Sequence, residues 1–346
     1  MKLYKRLAAF GASVTQQENG YVDQLSKKLG VKIKKFGYGG MHLPDAGVCF
    51  IDTVCAYKPD CVLVDWFSTD YMEQSEKTLQ CIDTVLYKLS LINCAVVFLI
   101  FPERRTDGRQ DEKEAFYDFC RKVLKDRNVC YVDISDKLKN VDLANILKDS
   151  IHITSYGGGY YAKFIQEPLL LNPPQVLESK LFAKNAAYSE IKKIVVNRVF
   201  FRNLNLFLDG SILGLYGTIG RHSGICNIRY DNGTKQKVSL WDRWCHFERN
   251  HFNFAVPQYK GNVSIEILRD EFDTSSCKVS VDFTKYRKQI VCREIYWQGT
   301  YLAVENTEEG SVLAFWTIEA VRKLRELKHF LGKCGKKYLG GLKIIK

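Results

Sequence analysis

Along the first 170 residues, short apolar runs rich in β-branched side chains alternate with amphipathic stretches. The runs cover residues 7–11, 31–37, 61–67, 94–101 and 128–134. Between them, residues 21–29, 46–57, 73–91 and 112–125 carry apolar side chains at helical spacing, as in Cys81, Val85, Leu89 and Phe116, Phe119, Val123. A strand buried on both faces shows no polar alternation, so five such runs separated by helices predict a parallel sheet with right-handed crossovers. Ligands of such sheets sit beyond the C-terminal strand ends. Asn172-Pro-Pro-Gln175 interrupts the pattern and predicts a linker over 171–190. From about Ile191 the period becomes two (Ile194, Val196, Phe200; Ile225, Ile228; Val263, Ile265, Ile267), punctuated by Asp209-Gly210, Asn232-Gly233 and Gly261-Asn262. An antiparallel β-sandwich over 191–310 follows. Val312, Phe315, Ile318, Val321, Leu324 and Leu327 then return to helical spacing, predicting a basic amphipathic helix and tail over 311–346.

Composition narrows the class. The chain is 46% hydrophobic and 26% charged, which excludes disorder, collagen and coiled coil, and no run of eighteen apolar residues exists to span a bilayer. The basic start, Met1 to Arg6, resembles the opening of a signal peptide, but the apolar part that follows, Leu7 to Phe10, is too short for one. Twelve scattered cysteines, none in a C-x-x-C pair, argue against a structural zinc and against a disulfide framework. A cytoplasmic protein is expected, with no metal. Net charge is +12 and unevenly placed: residues 1–170 hold 23 Lys/Arg against 22 Asp/Glu, and residues 171–346 hold 28 against 17. The second half attracts anions.

Four segments fall where strand ends should meet. Phe10-Gly-Ala-Ser-Val-Thr15 follows the first strand and places Ser13 at a tight strand-to-helix turn, either as a nucleophile beside free backbone amides or as the N-cap of the next helix. Gly37-Tyr-Gly-Gly-Met41 follows the second, and the amide of Gly40 is a candidate oxyanion donor. The third strand ends in Ser68, Thr69 and Asp70. Asp149-Ser-Ile-His152 supplies a base with a carboxylate three residues earlier to orient its ring; of His42 and His152, only His152 has an acid at useful spacing.

In order and interval these segments resemble the SGNH, or GDSL, hydrolases over roughly residues 5–168. The resemblance implies a five-stranded parallel sheet between helices, Ser13 as nucleophile, Asp149 and His152 completing the triad, and Gly40 as oxyanion donor, with Ser68 and Thr69 at the substrate. Two positions depart from the family pattern. Phe67 and Thr69 stand where its third block has glycine and asparagine, and Ala12 stands where its first block has aspartate. Thr69 lacks an amide NH₂, and losing one oxyanion donor lowers the rate by about 10²–10³.

The resemblance implies a serine enzyme moving an O-acyl group, acetyl above all, on a sugar or polysaccharide, without a cofactor. A transferase drawing on acetyl-CoA would use the same triad, and a non-catalytic carbohydrate-binding protein could occupy the same fold. In the second half, Trp241-Asp-Arg-Trp244 with His246 and His251 offers either a sugar-stacking platform or core packing. The basic tail could meet an anionic membrane surface or an acidic polymer, making the protein peripheral to a membrane, or remain solvated. Nucleic acid is disfavoured, since no recognition motif accompanies the charge.

Overall fold

The computed structural model describes residues 4–68, 73–105, 108–242, 244–254, 259–268, 274–275, 277–280, 282–306, 311–316 and 342–345. The chain divides into two compact units, Met1–Ser189 and Glu190–Lys346.

In the first unit, β1 (Leu7–Gly11), β2 (Ile33–Gly37), β3 (Cys61–Asp65), β4 (Ala95–Ile100) and β5 (Cys130–Asp133) form one all-parallel sheet in the order β2-β1-β3-β4-β5. Every residue of β1, β3 and β4 is buried, because helices cover both faces. Leu7, Ala9, Leu63, Val97 and Leu99 face α2 (Tyr21–Leu29) and α7 (Ser155–Leu171), whose Leu25, Tyr161 and Ile165 complete that core. On the other side Phe98 stacks on Phe67 at 5.3 Å, and Phe116 of α5 (Gln110–Asp126) meets Phe67 edge-on. The remaining helices of the unit are α1 (Ser13–Gln16), α3 (Val48–Ala56), α4 (Glu76–Leu91) and α6 (Ile134–Lys137). This is the sheet that the apolar runs predict.

The segment 171–190, expected as a linker, is instead packed onto the first unit. Val176 bridges to Ala95, Phe182 and Tyr188 are buried, and the Tyr188 amide donates to Thr84 Oγ1 at 3.2 Å. Its apolar residues outweigh the Pro-Pro signal.

The second unit is a single curled sheet that is antiparallel except at its last pair. Its strands are β6 (Lys192–Phe201), β7 (Asn203–Ile219), β8 (Ile225–Tyr230), β9 (Lys235–Ser239), β10 (Arg249–Phe254), β11 (Tyr259–Lys260), β12 (Val263–Ile267), β13 (Ile290–Asn306), β14 (Ser311–Trp316) and β15 (Leu342–Ile345). The 17-residue strands β7 and β13 pair along nearly their whole length, and each takes different partners at its two ends. Gly210 and Gly299 face one another where the pairing changes. Both have φ near +140°, and a Cβ on either would collide with the opposite backbone. A bulge admissible only to glycine therefore lets one sheet fold over its own core of Leu206, Leu215, Ile228, Ile265, Ile295 and Leu302.

Two expectations change at the C-terminus. Residues 311–316 are a strand paired antiparallel with β13, not the start of a helix, and residues 342–345 pair parallel with β14. A six-residue apolar run satisfies helical spacing by chance, and here the open edge of β13 decides its state. The rest of the predicted helix, residues 317–341, lies outside the described residues. Among the described residues no helix is long and apolar enough to cross a membrane.

Candidate active site

Ser13 stands at the first turn of α1, two residues beyond the end of β1. Its turn is fixed by close approach rather than by a side-chain cap. The Ala12 amide donates to Asp65 O at 3.1 Å, the Tyr38 amide to Gly11 O at 2.9 Å, and a Cβ on Gly11 would lie 2.1 Å from Asp65 O. Only glycine allows β1 and β3 to close here. Ala12, not Ser13, is the N-cap residue, so the Ser13 hydroxyl is not spent on the helix. His152 Nε2 lies 2.8 Å from Ser13 Oγ, and His152 Nδ1 lies 2.8 Å from Asp149 Oδ2. The structure thus brings together Ser13, His152 and Asp149 across 139 residues of chain.

The histidine sits on a tight loop before α7. The Lys148 amide donates to His152 O, and the Thr154 amide to Ile146 O. Asp149 Oδ1 accepts the amides of Ile151 and His152, at 3.0 and 2.8 Å. Burial alone would raise the Asp149 carboxyl, but these two amides and the imidazole outweigh it and hold it below its ordinary value of 3.8. A charged carboxylate on Nδ1 leaves Nε2 as the lone-pair side facing Ser13. The His152 and Asp149 side chains are 31% and 50% exposed, so the serine is reached from solvent.

Two neighbours that sequence reasoning missed hold the loops in register. Gln16 Oε1 accepts the Gly39 amide at 2.9 Å. Gln17 donates from Nε2 to Ile153 O at 2.5 Å and accepts the Ile153 amide on Oε1 at 3.2 Å. Consecutive side-chain amides therefore tie the Ser13 turn to the glycine loop on one side and to the histidine loop on the other. Their only sequence signal was adjacency to Ser13. Among the glycines, Gly39 is the one against the serine, since a Cβ there would come within 3.7 Å of Ser13 Cβ. Its amide is engaged by Gln16. The Gly40 amide, in a left-handed residue (φ +70°), donates to no group among the described residues.

Ser68 is a correction to the expected substrate-binding set. It is buried, and its hydroxyl donates to Asp65 Oδ1 at 2.7 Å, so its one proton serves the core rather than a ligand. Thr69 and Asp70 lie outside the described residues. Beneath this corner Asp65 is fully buried and also accepts from Thr15 Oγ1 at 3.2 Å. Burial pushes its carboxyl up to about 7 against the opposing effects of Ser68, Thr15 and Lys113. Lys113, equally buried, donates to Phe67 O at 2.8 Å and pairs with Glu103 at 3.0 Å. His42 corrects the expectation that only His152 has an acid at useful spacing: Asp45, three residues on, lies with Oδ2 3.4 Å from His42 Nδ1 at a single π-helical turn. The Ser13 hydroxyl nonetheless meets the ring of His152.

In the second unit Trp241 is core, 4.3 Å from the Phe283 ring and under Lys288 Nζ at 4.6 Å, whereas Trp244 is partly exposed. His246 and His251 do not gather a third ligand, and among the described residues no cluster of three such side chains could hold a metal ion.

No family model matches the chain, and no curated protein does. Solved structures do. A two-domain esterase active on acetylated mannans, co-crystallised with mannopentaose, is 12% identical over 85% of this chain and 91% of its own, with a TM-score of 0.60. An acetyl xylan esterase is 18% identical over 48% of this chain and all of its own (TM-score 0.42). A lipolytic protein of the G-D-S-L family from Desulfitobacterium hafniense is 19% identical over 47% of this chain and 98% of its own (TM-score 0.42). With its 2-1-3-4-5 parallel sheet and with Ser13 after β1 facing His152 before α7, the first unit of this chain has the SGNH, or GDSL, hydrolase fold.

Proposed function

We propose that this protein is a serine esterase that removes O-acetyl groups from a carbohydrate. The observation that carries the reading is the continuous chain of 2.8 Å contacts from Asp149 through His152 to Ser13. His152 Nε2 takes the Ser13 proton as Oγ attacks the ester carbonyl. The oxyanion forms beside the amides of Ser13 and Gly40, and collapse expels the sugar hydroxyl with the proton that His152 holds. Water then attacks the acetyl-serine by the same route, releasing acetate and restoring Oγ–H. The ionised Asp149 stabilises the imidazolium without taking its proton. The choice of an acetylated carbohydrate rests on the likeness to the mannan-active esterase, which acts on that chemical class.

The test is acetate release from p-nitrophenyl acetate and from acetylated mannan or xylan oligosaccharides. Ser13→Ala and His152→Ala are expected to lower kcat/KM by about 10³ or more at unchanged melting temperature, and Asp149→Asn by less than Ser13→Ala. Wild-type turnover by Ser13→Ala would overturn the mechanism. Hydrolysis of p-nitrophenyl acetate with no acetate from any glycan would overturn the substrate class.

A further inference from the structure

The second unit carries a cavity of about 530 Å³ that the acyl-transfer chemistry does not use. Its walls include Arg221, Arg287, His246, Tyr286, Phe247 and Glu248. Arg221 is held in a fixed orientation, with Nε donating to His246 O at 2.7 Å and Nη1 to Tyr286 OH at 2.8 Å. Its remaining Nη2 takes no bond among the described residues. Buried Lys288 fastens the same turn from below by donating to Arg221 O at 3.2 Å. His246 Nδ1 is buried with no hydrogen-bond partner among the described residues, and a buried polar atom left unmet is costly unless something outside the chain meets it. In the wall Phe247 is 46% exposed, 4.9 Å from the His246 ring; beside it Trp244 is 38% exposed, its ring centroid 6.4 Å from that of Phe247 and under Lys278 Nζ at 4.6 Å.

Each feature selects part of a ligand. A guanidinium edge beside a second arginine recognises a planar carboxylate by paired hydrogen bonds. The exposed ring of Phe247 next to it suits the apolar face of a pyranose. Glu248, whose Oε1 is 3.6 Å from His222 Nδ1, adds one negative charge to the wall. Opposed by two arginines, that charge leaves the wall net positive, which attracts an anion, and the aromatic wall favours one carried on a sugar ring over inorganic phosphate. We propose that this cavity is a carbohydrate subsite selecting a sugar that carries a carboxylate, a uronate, within a larger glycan. The inference does not rest on the esterase reading, because binding is measured with an unacetylated ligand and no turnover.

The experiment is isothermal titration calorimetry of the full chain with a glucuronate-bearing xylooligosaccharide, with the same oligosaccharide lacking the acid, and with inorganic phosphate. The uronate ligand is expected to bind at least about tenfold tighter than the neutral one, more weakly as salt rises. Arg221→Gln should remove that preference. Because Arg221 also braces Tyr286, Arg287→Gln is the second variant and should weaken the acid alone, while Phe247→Ala should weaken acid and neutral ligands together. Equal binding of the two oligosaccharides, tighter binding of phosphate, no binding of any ligand, or wild-type affinities in all three variants would each overturn the proposal.

Discussion

Asp65→Asn should turn a pH-dependent first unit into a pH-independent one at this position. Asp65 closes β3 against the Ser13 turn and is fully buried. It accepts from Ser68 on Oδ1 and from Thr15 on Oδ2, and burial raises its carboxyl from 3.8 to about 7. A carboxyl bound more tightly to its proton in the folded state than in the unfolded state stabilises the fold fully below pH 3.8. That contribution is lost as pH rises through about 7. The gap of about three units is worth roughly 4 kcal/mol at 1.36 kcal/mol per unit, and roughly 3 kcal/mol of it falls between about pH 4.5 and about pH 8. Asparagine has the shape of the protonated form. Its Oδ1 accepts from Ser68, and its Nδ2 donates to Thr15 Oγ1, which then donates to Tyr21 OH, 2.8 Å away. The variant therefore gains on the wild type as pH rises. For a unit of this length, about 2–4 °C per kcal/mol makes the relative gain in melting temperature roughly 10 °C. Calorimetric scans of both proteins across that range measure it, and other titrating groups cancel in the difference. Parallel curves for the two proteins would refute the argument, as would a variant that loses stability as pH rises.

Lys113→Met should cost about 3–5 kcal/mol in urea unfolding, because it strips the Phe67 carbonyl and leaves the largely buried Glu103 carboxylate with Arg105 alone among the described residues, at 3.1 Å. Adding Glu103→Gln should recover part of that loss, and additive effects in the double variant would show the pair is not coupled. Gly11→Ala should abolish soluble expression, since its Cβ would sit 2.1 Å from Asp65 O. Gly30→Ala, at φ +64° with nothing within 4 Å, should cost only about 1 kcal/mol in the same urea titration.

The parallel sheet was legible because strands buried on both faces must be apolar throughout. Leu7-Ala-Ala-Phe-Gly11 and Ala95-Val-Val-Phe-Leu-Ile100 carry no polar position, and the helical stretches between such runs mark them as strands. The pairing of Asp149 with His152 was equally local, three residues apart on one loop, and only the meeting with Ser13 required the fold. What escaped was set by the third dimension. Nothing in Gln110-Asp-Glu-Lys-Glu114 distinguishes Lys113 from its solvated neighbours, because its burial is decided by the Phe67 carbonyl and Glu103 arriving from other elements. Asp65 sits in an apolar run where a carboxylate would be unaffordable, and the raised protonation that makes it tolerable is invisible in sequence. Ser68 reads as a polar strand end facing a ligand until that same carboxyl turns it inward.

The failures and the site share a cause. Asp65, Ser68, Thr15 and Lys113 are polar groups withdrawn from water directly behind a serine that must keep one geometry. Each is satisfied by another side chain or by a backbone carbonyl from a different element. An apolar layer at that place would pack as well but would fix orientation less, since dispersion is non-directional and a donor–acceptor pair is not. Of these residues, hard to read from the sequence, Thr15 ties the Ser13 turn to Asp65 on β3, and Ser68 and Lys113 hold that carboxyl and the chain just beyond β3 in place. Their substitution should disturb the alignment of Ser13 with His152 before it unfolds the sheet, so kcat should fall at a urea concentration that leaves the far-ultraviolet spectrum unchanged in Lys113→Met. Simultaneous loss of kcat and spectrum would mean that this polar layer serves stability alone.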